Sequence, residues 1–266
     1  MSQFNIIIFS KDRACQLHAL LSTWSGEWPV CIVKSSTPEF AWGYHLLTER
    51  NNKGILIDEC ELGGFGPALS YVIDIDRPYT IFFVDDMLIR KAIPWDSPLL
   101  TSPLESPEVA CVSLRLGPSI RKSYNLRKPL HRPRLDDYTE WFEWEWGGAD
   151  GEWGYPMSLD AHLFRTKDIF LKYDLSAFRS PNHFESFMAA HPINRPVMAC
   201  FREGPFTLNV PANQVQSMFR NRTCNGRSAE ELNEAFLQGK QIDTGPLAKQ
   251  VVDSCHVPLK LELTEG

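Results

Sequence analysis

Over its first hundred residues the chain alternates short apolar runs with stretches of helical spacing. Asn5 to Phe9 predicts a strand, followed by the polar turn Ser10-Lys11-Asp12-Arg13. Leu17, Leu20, Leu21 and Trp24 then recur on one helix face, with Asp12 placed to cap that helix. Val30 to Val33 predicts a second strand, and Thr37 opens a helix bearing Phe40, Tyr44 and Leu47. Gly54 to Ile57 is a third strand. The loop Gly63-Gly64-Phe65-Gly66-Pro67 leads into a helix over Ala68 to Ile73, with Pro67 at a first helical position. The run Tyr79-Thr80-Ile81-Phe82-Phe83-Val84 is aromatic and β-branched throughout, the pattern of a strand buried on both faces. This alternation predicts an α/β fold, a mostly parallel sheet with helices on both faces. Right-handed crossovers then bring Ser10, Lys34-Ser35 and Asp85-Asp86 to one sheet edge.

After residue 100 the pattern loosens. Val109 to Leu114 and Met157 to Arg165 read as strands, with a short helix from Thr166-Lys167-Asp168. Ser180-Pro181-Asn182 turns into a helix with Glu185 in its first turn. Val197 to Phe201 and Phe206 to Val210 are further short strands. Ser228 and Glu231 form a capping box ahead of Leu232, Ala235 and Phe236, and Gly239 closes that helix.

Composition narrows the function classes. A chain of 266 residues, 43% of them hydrophobic, can bury one large core, and a net charge of -6 weighs against a nucleic-acid partner. Seven dispersed cysteines without a Cys-x-x-Cys pair favour free thiols over a disulfide framework or a zinc site. No apolar run approaches the roughly 20 residues that span a bilayer, so a soluble, cytoplasmic protein is expected.

The first candidate chemistry is Asp85-Asp86. Two adjacent carboxylates at the end of a core strand resist burial unless a cation or a ligand relieves them. In open α/β sheets, ligands bind at the carboxyl ends of strands. The segment 136–156 concentrates Trp141, Trp144, Trp146 and Trp153, which suit either an acceptor platform or a small aromatic subcore. Asp150 and Glu152 lie between them. The basic stretch Arg115, Arg121, Lys122, Arg127, Lys128, Arg132 and Arg134 suits a diphosphate, an anionic acceptor, a membrane surface, or simple solvation.

These residues together resemble family-2-type nucleotide-sugar glycosyltransferases of the GT-A fold. The resemblance rests on Ser10-Lys11-Asp12-Arg13 with Gln16-Leu17, on Phe83-Val84-Asp85-Asp86-Met87-Leu88 as an Asp-x-Asp-type metal motif, and on Pro156 to Arg165. Pro181-Asn182-His183-Phe184-Glu185, Asn209 to Gln216 and Asn221-Arg222 extend it. The chain departs from the family at Val84 and Met87 in the metal motif, at Ser186 after the candidate base, and at Lys34-Ser35-Ser36, where relatives carry an acid.

The resemblance implies residues 1–100 as a nucleotide-sugar-binding half, 101–205 as the acceptor-binding half of the same domain, and 206–266 as a C-terminal extension. It implies Mg²⁺ or Mn²⁺ on Asp86, with Asp85 and His256 as further ligands. Ser10, Asp12, Arg13 and Asp85 would serve the nucleotide. Glu185 is the expected general base, with Asp160 as the alternative. Trp144, Trp146, Trp153 and His162 are the expected acceptor contacts. The expected reaction is inverting transfer of a sugar from a nucleotide sugar to a glycan or glycolipid acceptor, with peripheral membrane contact compatible with the basic stretch. A sugar-nucleotide nucleotidyltransferase would want a glycine-rich turn after the first strand, and Ser10-Lys11-Asp12-Arg13 contains none. A non-catalytic carbohydrate-binding protein would have no need of Asp85-Asp86 and Glu185.

Overall fold

The structure is a computed structural model; it describes residues 3–266 except 27–29, 52, 217, 219–221 and 225, and the side chains of 248 and 249. The resemblance at Asn221 lies outside the described residues. Strands β1 (Phe4–Lys11), β2 (Val30–Ser35), β3 (Gly54–Asp58) and β4 (Tyr79–Val84) alternate with helices α1 (Ala14–Ser22), α2 (Pro38–Arg50) and α3 (Phe65–Val72). Then come β5 (Met87–Ile89), β6 (Val109–Ser113), the short ribbon β7 (Lys122–Ser123) with β8 (Lys128–Pro129), β9 (Asp136–Asp137) and β10 (Trp141–Glu145). The remainder is β11 (His162–Arg165), α4 (Thr166–Phe170), α5 (Pro181–Ala190), β12 (Val197–Phe201), β13 (Thr207–Asn209), α6 (Ala229–Leu237), β14 (Lys240–Ile242) and β15 (Leu263–Glu265).

Nine strands form the central sheet in the order β3-β2-β1-β4-β11-β6-β12-β10-β9. The pairings β3-β2, β2-β1, β1-β4 and β6-β12 are parallel, and β11 and β10 run against both of their neighbours. Seven strands therefore share one direction, and the sheet is mostly parallel. A strand that runs against its neighbours starts where they end. The start of β11 thus lies on the same edge as the ends of β4 and β6.

Side chains alternate between the faces along each strand. On one face Phe9 and Phe82 meet Phe65 of α3 and Phe184 of α5. On the other, Phe83 meets Trp24 beyond the end of α1, and Trp24 stacks on Trp95. Helices α2 and α6 pack onto α1. Both faces are covered by apolar side chains, which is why β1 and β4 carry unbroken apolar runs.

Three local expectations are corrected. The strand expected over Met157 to Arg165 begins only at His162, because Ala161 adopts φ +55 and turns the chain at the sheet edge. Pro67 is the third residue of α3, not its first. Asp12 does not cap α1; at φ +51 its carboxylate accepts the backbone N–H of Thr37 at 2.7 Å and so fastens the start of α2 to the end of β1.

Candidate active site

A cavity of about 790 Å³ opens along the edge where the parallel strands end. At its centre Asp85 and Asp86 form the turn between β4 and β5. Asp85 is buried. Its Oδ2 accepts the Ser10 hydroxyl and the Lys11 backbone N–H, both at 2.9 Å, and its Oδ1 accepts Arg13 Nη1 at 3.0 Å. The Tyr44 hydroxyl lies 2.7 Å from Ser10 Oγ and accepts the Arg13 backbone N–H at 3.2 Å. The Ser10, Tyr44 and Arg13 side chains are thereby set relative to Asp85 before any ligand arrives.

Asp86 is held from the other end of the chain. Strand β13 pairs antiparallel with β5 and places Asn209 opposite Met87. Asn209 Nδ2 then donates to Asp86 Oδ1 at 3.1 Å, while Arg13 Nη1 lies 3.4 Å from Asp86 Oδ2. The Asn209 backbone pairs with Cys255 and Val257, which brings His256 to the cavity wall. Burial raises the proton affinity of both Asp85 and Asp86, and Arg13 opposes that effect.

The β11 edge supplies Asp160, whose Oδ2 accepts Arg115 Nη1 at 2.6 Å; Arg115 follows β6 on the neighbouring position of the sheet. Within the basic stretch Arg115 is a buried member, whereas Lys122, Lys128 and Arg134 pair with Asp253, Asp150 and Asp136 near the surface. Glu185 completes this half. Ser180 caps α5 by accepting the His183 N–H, and Pro181 takes the first helical position. Glu185 falls in the second turn, not the first as expected, so it does not serve the helix terminus. Its Oε1 accepts the Leu159 N–H at 3.2 Å. Burial, reinforced by the charge of Asp160 and opposed by Arg115, pushes its pKa up to about 7. The same carboxylate helps burial raise the proton affinity of the Tyr155 hydroxyl, which also faces the cavity.

The structure thus brings Ser10, Arg13, Asp85, Asp86, Asp160, Glu185 and His256 to one cavity. It does not bring the tryptophans there. Trp144 and Trp153 are 1% and 0% exposed, pack edge to face at 5.0 Å, and Trp144 Nε1 donates to the Trp153 carbonyl. They form an aromatic subcore, which corrects their assignment as an acceptor platform. Trp146 donates to the Arg195 carbonyl at 2.7 Å, away from the cavity. His162 is fully buried with Nδ1 2.9 Å from the Pro156 carbonyl, and burial pushes its pKa down to about 3; it too is a core residue. Asp12 is outside the cavity lining.

Tyr44, Asn209 and Asn213 have no site role that the sequence alone assigns. Tyr44 stood out only as an apolar position of α2. Asn209 and Asn213 belong to a segment whose role depends on strand pairing across more than a hundred residues. Glu152 is the acid of the tryptophan segment that does reach the cavity; its Oε1 accepts the Ser123 hydroxyl at 2.9 Å.

The expected divalent cation does not fit these residues. Each carboxylate oxygen of Asp85 and Asp86 already accepts a hydrogen bond from Ser10, Lys11, Arg13 or Asn209. Met87, in the third place of the motif, is fully buried. His256 has Asn125 Nδ2 at 3.4 Å. Among the described residues no group of three or more His, Cys, Asp or Glu is gathered to hold a metal. Among them, too, no helix is long and apolar enough to cross a membrane.

No protein-family model matches the chain, and no curated protein matches it. Among solved structures it is similar to S. aureus TarS, at 15% identity and a TM-score of 0.47, over 79% of this chain and 37% of that one. It is also similar to S. aureus TarS 1-349 in complex with UDP-GlcNAc, at 16% identity and a TM-score of 0.46, over 77% and 57% of the two chains. This chain spans little more than a third of the longer TarS chain and under two thirds of the shorter one.

Proposed function

We propose that the cavity is the active site of a GT-A-type glycosyltransferase, which moves a hexose from a nucleotide sugar to a hydroxyl of a glycan or glycolipid acceptor with inversion. The observation that carries this reading is Glu185. It is a carboxylate that lines the cavity together with a second acid, Asp160, and the strand-end aspartates, and burial with the charge of Asp160 raises its proton affinity. A general base works best when its pKa lies near the working pH. The donor nucleotide would lie along the ends of β1 and β2, over Phe9 and Phe65 and beside Lys11 and Ser35, all of which line that arm. Lys11 and Arg222 supply positive charge for the diphosphate. Glu185 would take the acceptor proton as the acceptor oxygen bonds to the anomeric carbon and the bond to the diphosphate breaks on the opposite face. Asp160, held by Arg115, would stabilise the positive charge that develops on the sugar ring. No step in this scheme runs through a metal ion.

The test is a panel of UDP-, GDP-, CMP- and other nucleotide sugars, incubated with the protein while release of free nucleotide is followed. One donor is expected to be turned over, with the loss of Glu185 stopping transfer but not binding. A protein that neither binds nor turns over any member of the panel would refute the reading.

A further inference from the structure

Arg13 occupies the position between the two aspartates. Its Nη1 lies 3.0 Å from Asp85 Oδ1 and 3.4 Å from Asp86 Oδ2. Its Nε donates to Asn213 Oδ1 at 2.9 Å and its Nη2 to the Asn213 carbonyl at 2.5 Å. Four of the five guanidinium N–H groups are engaged this way. The side chain is 11% exposed and lines the cavity. The backbone beneath it is equally fixed: Asp12 at φ +51 turns the chain, and Tyr44 receives the Arg13 N–H. A guanidinium cannot lose its proton in a protein, so this is a permanent positive charge.

We infer that Arg13 is the resident cation of this site, standing where a divalent ion would otherwise be needed, so that a nucleoside diphosphate is bound and released without metal. The inference accounts for three features at once. Both carboxylates have a positive charge beside them in place, which opposes the penalty that burial puts on their ionised forms. The third position of the motif can be the apolar Met87, because no ligand is required there. The segment at Asn213 is tied to the aspartates by the same side chain, so the two walls of the cavity are joined at the place where the diphosphate would pass. Among the described residues Nη2 has the Asn213 carbonyl as its partner, which leaves its second N–H for an anion in the cavity.

The binding arm of the test does not depend on the glycosyltransferase reading. Mn²⁺ is titrated into the protein, alone and with UDP or GDP, and water-proton relaxation reports a protein-bound ion. The wild-type protein should show no saturable site beyond the Mn²⁺–nucleotide complex itself. Arg13→Met, which leaves both carboxylates without their cation, should gain a site, and adding Asp86→Asn should remove it again. Stoichiometric Mn²⁺ binding by the wild type that is lost in Asp86→Asn would overturn the inference. So would a folded Arg13→Met that gains no site. Should Arg13→Met fail to fold, as judged by circular dichroism, the wild-type titration still decides. The turnover arm rests on the proposed activity: release of nucleotide should persist in EDTA, and its abolition by EDTA with recovery on Mn²⁺ addition would count against Arg13. A protein with no turnover at all would sink the enzyme reading while leaving the Mn²⁺ result to judge Arg13.

Discussion

Arg115 Nη1 donates to Asp160 Oδ2 at 2.6 Å; Arg115 follows β6 and Asp160 precedes β11, neighbouring strands that run in opposite directions. That reversal is what brings them together: Arg115 leaves the end of β6 at the edge where β11 begins. The pair lines the same cavity as the strand-end aspartates and Glu185. Asp160 raises the proton affinity of Asp86, and on Glu185 Asp160 acts in the same sense while Arg115 opposes it.

Arg115→Met should leave Asp160 without its partner in a largely dry setting. Breaking such a pair costs up to about 3–5 kcal/mol, and less here because Asp160 keeps some solvent contact. Urea unfolding measures the loss. Arg115 also holds the Glu185 pKa down, so the acidic limb of the pH–rate profile should move to higher pH in this variant. An unshifted limb would mean that Arg115 does not act on Glu185.

Glu185→Gln keeps the shape of the side chain but cannot accept a proton. Removing a general base costs about 10²–10⁴-fold in rate. The loss should fall on kcat, with nucleotide affinity by calorimetry unchanged. Transfer at near wild-type rate by this variant, with Asp160→Asn inactive, would move the base to Asp160.

The same residue makes a stability prediction with a defined sign. The Glu185 pKa rises from an ordinary 4.5 to about 7 in the folded protein, so the fold favours its protonated form. Its contribution is fully present below about pH 4.5 and is lost as pH rises through about 7. Glu185→Gln cannot ionise and escapes that loss. Its Tm relative to wild type should therefore increase between pH 5 and pH 8, as read by differential scanning calorimetry. A constant difference across that range would contradict the buried-carboxylate assignment.

Trp144→Ala should act on stability and not on acceptor recognition. Removing a fully buried tryptophan costs about 3–5 kcal/mol and leaves the Trp153 carbonyl without its donor. The melting temperature should fall steeply while the acceptor KM of the folded fraction stays near wild type. A raised acceptor KM with unchanged stability would restore the platform role.

Much of the framework was legible because it depends on local pattern. The apolar runs of β1 and β4 are continuous since both faces of the sheet are covered, and the helical spacing from Leu17 to Leu21 needs only its own face to be read. The capping box of Ser228 and Glu231 is a contact between residues three apart, and it forms as the sequence predicts. The strand-end aspartates were legible as a site for the same reason: burial penalises two adjacent carboxylates wherever the fold places them.

What the tertiary structure decided is which partner each of these residues meets. Strand β5 reads as apolar on its own, but its pairing with β13 is what puts Asn209 on Asp86. Four tryptophans within a short segment look alike in sequence, and only packing sends Trp144 and Trp153 inside. The run from Met157 to Arg165 has strand composition throughout, yet the turn at Ala161 stops the strand and delivers Asp160 to the cavity. The charge that faces Asp85 and Asp86 is the clearest case. Sequence shows that they need a cation or a ligand, because like charges repel at close range in a dry setting. That the cation is Arg13 follows from the left-handed turn at Asp12 and the hold of Asn213, two contacts that exist only once distant segments have met.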